Sequence, residues 1–178
     1  MRLFKCRVPI AAPCSITKMV KSFRVLYLLL RLLAAAAALS AAIVMATSHD
    51  STTLLGITLE AKFQYNPAFE FLVIANGIGF CYSLIALFIP SSLLSRLVIM
   101  FDVIIAMLLT AAIAAAGAMA QLGKNGNTHA GWLPVCDQVP NFCDHAMGAM
   151  ICALVGVVTY LLIVLYDVHM LLSPKLLP

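Results

Sequence analysis

The chain has 178 residues, of which 63% are hydrophobic and 10% charged, with a net charge of +4 and a mean hydropathy of +1.05. A soluble domain of this length could not bury so much apolar surface, so the composition excludes a soluble fold and indicates an integral membrane protein. The positive net charge is then explained by membrane topology and by attraction to anionic lipid, so nucleic acid is not needed as a partner.

Four apolar runs are each long enough to cross a bilayer core of about 30 Å at about 1.5 Å per residue. They cover residues 25–47, 69–89, 97–120 and 147–166. The sequence therefore predicts an all-α four-helix transmembrane bundle over residues 25–172, with a basic head at 1–24 and a tail at 173–178. The first run is longer than the apolar core of a signal peptide, about 7 to 15 residues, so we expect it to remain as an uncleaved span.

The first and third runs each contain one charged residue, and both charges come near the start of their run. Arg31 lies six residues into the first run and Asp102 five residues into the third. If successive spans alternate in direction, the charges sit about 9 Å and about 7.5 Å from the same membrane face. An unpaired charge at this depth is costly, so we predict an ion pair between the first and third helices. The alternative is that Arg31 snorkels to the interface and Asp102 is protonated or solvated there.

Small residues recur at intervals of four in all four spans, a spacing that lets helix backbones approach closely in lipid. The rows in the first and third spans lie in alanine-rich stretches and are not specific. The two specific rows are Ala75, Gly79 and Ser83 in the second span and Gly148, Cys152 and Gly156 in the fourth. We predict helix-packing seams along both rows, and the fourth-span row could pack either inside the protomer or against a second copy. Asn76, a strongly polar residue in the second span, is expected to hydrogen-bond between helices.

The segments between spans one and two and between spans three and four are the two outer loops. The first contains apolar residues without a sustained period, so its pattern does not decide between a strand and an interfacial helix. The second contains Cys136 and Cys143, separated by six residues, for which we expect a disulfide in an oxidising compartment. Trp132 precedes this pair and is interpreted as an interfacial anchor, with partner binding as the alternative.

The distribution of lysine and arginine predicts the orientation of the bundle. Only Lys62 and Lys124 lie in the outer loops, whereas eight cations lie in the head, the link between spans two and three, and the tail. These eight are Arg2, Lys5, Arg7, Lys18, Lys21, Arg24, Arg96 and Lys175. The sequence thus predicts cytosolic N and C termini and two extracellular loops.

Motifs for catalysis are missing from the sequence. No histidine falls within a span, there is no glycine-rich phosphate loop, and no group of ligands has the spacing of a structural zinc site. We therefore expect neither enzymatic activity nor a cofactor or metal.

The arrangement as a whole resembles a known family. Four spans with an arginine in the first, an aspartate in the third, and a tryptophan and two cysteines in the second outer loop resemble the plant Casparian strip membrane domain protein-like (CASP-like) family, which is related to the MARVEL proteins. The stretches AKFQYNPAFEFLVIANGIGFCYSLIAL, starting at Ala61, and WLPVCDQVPNFCDHAMGAM, starting at Trp132, are similar to subfamily 1. The first outer loop lacks the phenylalanine-rich signature of the true Casparian strip proteins. Mapped by residue, the family's paired charges fall on Arg31 and Asp102 and its loop cysteines on Cys136 and Cys143.

The resemblance implies a multi-pass plasma-membrane scaffold. Such proteins associate with copies of themselves and with related members, as homo- and hetero-oligomers, and form lateral platforms in the lipid bilayer that gather secreted cell-wall enzymes such as peroxidases. The competing interpretation is a small four-helix channel or transporter that uses Arg31, Asp102 and Asn76 as a polar path.

Overall fold

The computed structural model describes residues 13–54, 57–88 and 95–172. They form four long helices, α1 (Pro13–Ala46), α2 (Pro67–Phe88), α3 (Ser95–Asn125) and α4 (Pro140–Leu172), together with two strands, β1 (His49–Leu54) and β2 (Ile57–Lys62). Each helix contains a stretch long and apolar enough to cross a membrane. The predicted all-α, four-span membrane fold is confirmed.

The helices differ in length from the predicted spans. α1 begins at Pro13, inside the predicted head, α3 continues past residue 120 to Asn125, and α4 begins at Pro140 instead of 147. Helical hydrogen bonds form equally well where polar residues such as Lys124 end the apolar run, so hydropathy marks the buried part of a helix and not its ends. Residues 1–12 of the head and the tail at 173–178 lie outside the described residues.

Local signals explain where the helices start and stop. Asn66 caps α2, since its side-chain oxygen accepts a hydrogen bond from the Ala68 backbone N–H at 3.0 Å, and Pro67 follows as the first helical residue. α3 ends before Gly126, which has a φ of 64° and donates its N–H to the Leu122 carbonyl at 2.8 Å. A side chain would be strained there, because a Cβ atom at residue 126 would lie 2.5 Å from the Trp132 carbonyl oxygen.

The first outer loop forms an antiparallel hairpin. β1 and β2 pair from His49 opposite Lys62 to Leu54 opposite Ile57, and a short 3₁₀ turn at Phe63–Tyr65 leads into α2. The sequence pattern did not decide between a strand and an interfacial helix for this loop. In the structure the loop forms two strands. The strands contain the β-branched residues Thr52, Thr53, Ile57 and Thr58, and residues of this kind favour extended backbone.

The four helices form a bundle in which each one packs closely against two neighbours. α1 contacts α2 and α4, and α3 contacts the same two helices, so α1 faces α3 and α2 faces α4 across the centre. Small side chains let the helices approach one another along much of this centre. The buried alanines include Ala34, Ala38, Ala41, Ala75, Ala112, Ala116, Ala149 and Ala153.

We refer to the two ends of the bundle by what they carry. The loop end holds the β1–β2 hairpin and residues 126–139, which connect α3 to α4. The terminal end holds Arg24 and Arg96, near the points where the first and third apolar stretches begin.

Candidate functional site

Arg31 and Asp102 form an ion pair in the interior of the bundle, and both side chains are 0% exposed. The guanidinium of Arg31 donates from its two terminal nitrogens to the two carboxylate oxygens of Asp102, each at 2.5 Å. This two-pronged geometry suits the planar guanidinium and is stronger than a single charged hydrogen bond. The structure thus places the two charges in contact across the centre, from α1 to α3.

Tyrosines surround this pair. The Tyr27 hydroxyl, one helical turn before Arg31, accepts hydrogen bonds from the Arg31 Nε and from one terminal nitrogen at 3.0 and 2.8 Å. The guanidinium carbon also lies 5.1 Å from the Tyr27 ring centre and 5.6 Å from that of Tyr82. Aromatic faces attract a cation, and the attraction is stronger where water is excluded. The charge of Arg31 is therefore stabilised on several sides.

A second polar connection joins the other two helices. The Tyr160 hydroxyl of α4 donates to the Gly79 carbonyl of α2 at 2.7 Å and lies 2.6 Å from the Ser83 hydroxyl. Because the phenolic proton is used on the carbonyl, Ser83 must be the donor to Tyr160. We refer to Arg31, Asp102, Tyr27, Tyr160 and Ser83 together as the polar cluster.

The two connections in the polar cluster both cross the centre of the bundle. Neighbouring helices pack at about 8 to 10 Å between axes, so helices on opposite corners are farther apart and only a long side chain can bridge them. Arg31 bridges α1 to α3 and Tyr160 bridges α4 to α2. The cluster therefore ties all four helices together at one level, in a core that is otherwise largely apolar.

Asn76 does not join the polar cluster. Its side-chain nitrogen donates to the Leu72 carbonyl of its own helix at 2.8 Å, while its Oδ1 is buried without a hydrogen-bond partner among the described residues. The prediction of a hydrogen bond between helices is wrong for this residue. The amide reaches the carbonyl four residues earlier, which satisfies its donor locally.

The two predicted seams of small residues behave differently. Ala75, Gly79 and Ser83 are all buried, and a Cβ atom at Gly79 would lie 3.5 Å from the Leu109 side chain of α3. This row packs inside the bundle.

The fourth-span row is not a single seam. Gly156 is buried, and a Cβ atom there would lie 3.8 Å from that of Ala37 in α1, whereas one at Gly148 would meet nothing within 4 Å. Cys152 between them is half-buried with a free thiol. The prediction of one continuous contact face is therefore wrong, because α1 covers α4 at Gly156 and no described residue packs against Gly148.

At the loop end, Cys136 and Cys143 form a disulfide with their Cα atoms 5.7 Å apart. The backbone N–H groups of Val135 and Cys136 donate to the Gly123 carbonyl near the end of α3, at 2.8 and 3.1 Å. Trp132 lies on the same loop and is 58% exposed. Its role as an interfacial anchor stays a prediction.

We expect Cys136→Ser to leave the four helices inserted and folded. The closed loop is short, so the chain-entropy contribution of the bridge is about 2 to 3 kcal/mol, which is less than the buried core supplies. Helical content and elution of the purified variant in detergent check this. Full labelling of both wild-type thiols under non-reducing conditions would instead show that no bridge forms.

A surface ion pair lies beside this loop. Lys62 and Glu60 are 2.6 Å apart and exposed. Their hydrogen bond, and then their charges, lower the pKa of the Glu60 carboxyl and raise the pKa of Lys62. The pair forms at neutral pH and is lost as the pH falls through the lowered Glu60 pKa or rises through the raised Lys62 pKa, with little effect on stability because solvent screens it.

The described part of the chain contains no group of three or more His, Cys, Asp or Glu side chains placed to hold a metal ion. The polar cluster is instead a closed set of paired groups. Its chemistry suits structural cross-linking, since each member is occupied by another member or by backbone.

Sequence comparison agrees with this architecture. The Casparian strip membrane protein domain matches residues 20–159, which include the four helices' central parts and both loops. The chain therefore belongs to the Casparian strip membrane protein family. No solved structure matches it.

Curated relatives match the chain over most of their length. It is 54% identical over 147 residues to CASP-like protein 1C2 of Vitis vinifera, covering 82% of this chain and 91% of that protein. It is 49% identical over 151 residues to CASP-like protein 1C1 of Arabidopsis thaliana, covering 84% and 92%. The protein is thus a multi-pass membrane protein of the CASP-like kind.

Sequence reasoning missed Tyr27, Tyr82 and Tyr160 as members or neighbours of the central site. A signal was present, because Tyr27 precedes Arg31 by one helical turn and Tyr160 lies six residues before the end of its predicted span. That position is about 9 Å from the membrane face, the depth deduced for Arg31. Matching depths could have placed these hydroxyls together.

Proposed function

We propose that this protein is a plasma-membrane scaffold, without enzymatic activity, whose copies associate laterally with one another and with related members into platforms that gather secreted cell-wall-modifying proteins. Membership of the CASP-like family supports the membrane setting. In this proposal the terminal end faces the cytosol. Most lysine and arginine residues lie outside the two outer loops, and such residues favour the cytosolic side of a membrane. The loop end then faces the cell wall.

The observation that carries the proposal is the outward face of α3 in its loop-end half. Thr110, Ala114 and Ala118 recur every four residues and are exposed, and a Cβ atom at Gly117 would meet nothing within 4 Å. Small side chains on a lipid-facing surface permit the close backbone approach on which helix association in membranes depends. This face is therefore suited to a helix of a second copy.

The interior of the bundle supports a scaffold better than a channel. Arg31, Asp102 and Asn76, the residues of the alternative polar path, are each 0% exposed. The first two neutralise each other, and the amide nitrogen of Asn76 is bonded within its own helix. A cross-linked core of this kind favours a rigid unit that packs laterally, since polar contacts at the centre resist separation of the helices.

Leucine at positions 114 and 118 tests the proposed face. Ala114→Leu with Ala118→Leu is expected to lower co-precipitation of differently tagged copies by about fivefold or more, because added bulk prevents close approach. Yield and surface delivery should not change, since both positions face outward. Single-molecule counting of copies per spot in the plasma membrane gives a second measurement.

Gly77→Leu is the matched control, because Gly77 lies on α2 with nothing within 4 Å of an added Cβ atom. It should leave association unchanged. Equal association by the double variant and wild type would contradict the role of this face. Ion flux through protein-containing liposomes, with no platform formation in cells, would favour the channel instead.

A further inference from the structure

A groove of about 570 Å³ opens at the loop end of the bundle. It lies between β2 and its following turn, the end of α3, the loop that carries the disulfide, and the start of α4. Its volume falls in the range of about 300 to 1,000 Å³ that is typical of binding sites. Neither the polar cluster nor the proposed lateral face uses it.

The rim of the groove extends beyond the hydrocarbon core. The apolar run of α3 ends at residue 120, and the helix continues to Asn125, about 7.5 Å farther. The headgroup layer is about 5 to 8 Å thick on each side, so the loop after Asn125 lies at the outer boundary of this layer, where water reaches it.

The groove has an apolar floor and an aromatic rim. Phe69 and Phe142 meet edge to face with ring centres 5.6 Å apart, and both line it. Three larger side chains on the rim remain open to solvent: Tyr65 at 67%, Trp132 at 58% and Leu133 at 78%. Exposed aromatic and aliphatic side chains around a concavity outside the hydrocarbon core are typical of a surface that binds a partner.

The charge of the loop end is negative. Its two outer loops and the first turn of α2 carry five carboxylates, Asp50, Glu60, Glu70, Asp137 and Asp144, and two lysines, Lys62 and Lys124, for a net charge of −3. Asp137 and Asp144 line the groove, are exposed, and form no ion pair within the described part of the chain. Glu60 and Lys62 neutralise each other, and Lys124 also lines the groove, so its lining carries a net charge of −1.

We propose that this groove docks a basic polypeptide segment of a secreted partner protein. An apolar side chain of the segment occupies the floor between Phe69 and Phe142, and lysine or arginine side chains lie against Asp137 and Asp144. This inference rests on the proposed function, because it names the surface through which a scaffold gathers its partners. Acidic polysaccharides and anionic lipid headgroups fit less well, because the negative potential repels them.

Peptide binding to the full-length protein in nanodiscs of zwitterionic lipid tests the groove. The probe is a short fluorescein-labelled peptide that combines lysines with leucines, and fluorescence anisotropy gives its Kd, with empty nanodiscs as background. We expect Asp137→Asn with Asp144→Asn to weaken binding about tenfold at low salt, because the charges that face the peptide are removed. Trp132→Ala should weaken it as well.

The double variant Asp50→Asn with Glu70→Gln is the matched control, since it removes the same charge from the loop end outside the groove. It should weaken binding by less than about threefold, through the general potential alone. Peptides with glutamate for lysine, or serine for leucine, should not bind. Equal weakening by the two double variants, or binding of the glutamate peptide, would overturn the groove as the docking site.

Co-precipitation of tagged copies from the same preparations separates the two proposals. If the groove variants bind the peptide no more weakly than the control variant does, and the copies still self-associate, only the docking inference is overturned. Specific peptide binding by a protein that does not self-associate overturns the scaffold and leaves the groove as a binding site.

Discussion

Arg31→Ala or Asp102→Ala is expected to lower the free energy of unfolding by about 3 to 5 kcal/mol, because each change leaves the other charge buried without its partner. Both side chains are 0% exposed and joined by two hydrogen bonds, so little water can compensate. Folded yield in detergent and unfolding of the purified protein in bicelles measure the loss.

A charge swap shows whether the loss belongs to the pair. Arg31→Asp combined with Asp102→Arg should recover part of the stability, whereas two independent sites would give additive losses with no recovery. Tyr27→Phe serves as a reference with a smaller expected effect. It removes only the hydroxyl that accepts hydrogen bonds from the Arg31 guanidinium and leaves the ion pair in place. It should cost about 0.6 to 1.7 kcal/mol, the size of a polar contact between side chains in a membrane protein.

Gly156→Leu is the second change with a large expected effect. A Cβ atom at this position already reaches ordinary contact distance from Ala37, at 3.8 Å, and lies 3.9 Å from the Ala38 backbone nitrogen, so the rest of a leucine side chain has no room. Overpacking of a close helix contact costs about 1 to 3 kcal/mol. We expect lower thermal stability and retention of the protein inside the cell.

Gly148→Leu is the matched control on the same helix, two turns nearer the loop end. Nothing lies within 4 Å of a Cβ atom there, so the variant should fold and reach the surface like wild type. If Gly148→Leu and Gly156→Leu both folded normally and both lost association between copies, the fourth-span row would instead pack between two copies of the protein. The structure predicts instead that only residue 156 affects folding.

Much of the architecture could be predicted from the sequence for a simple physical reason. A bilayer excludes unpaired charge and requires about 20 apolar residues per crossing, so the four runs, and the meeting of Arg31 with Asp102 at one depth, follow from spacing along the chain. The hairpin could not be predicted in the same way, because it lies outside the core, where no solvent boundary imposes a period on residues 49–62.

Small residues illustrate the limit of such reasoning. The rows at 75–83 and 148–156 look alike in sequence, yet the first is buried throughout and the second contains one packed and one open glycine. Spacing shows which residues share a helical face, but not which face a neighbouring helix covers. Asn76 is a similar case, because the sequence could not show that its amide would bond to its own helix.

The sequence by itself determined the membrane setting, the number of spans and the family, because hydropathy marks the apolar runs and the family's motifs can be read along one chain. Only the tertiary structure decided that α1 faces α3 and α2 faces α4, that Tyr160 completes a second connection across the centre, and that a groove lined in part by Asp137 and Asp144 opens at the loop end. Those features depend on how four helices are arranged around a common axis, and that arrangement is set by packing between residues far apart in the chain.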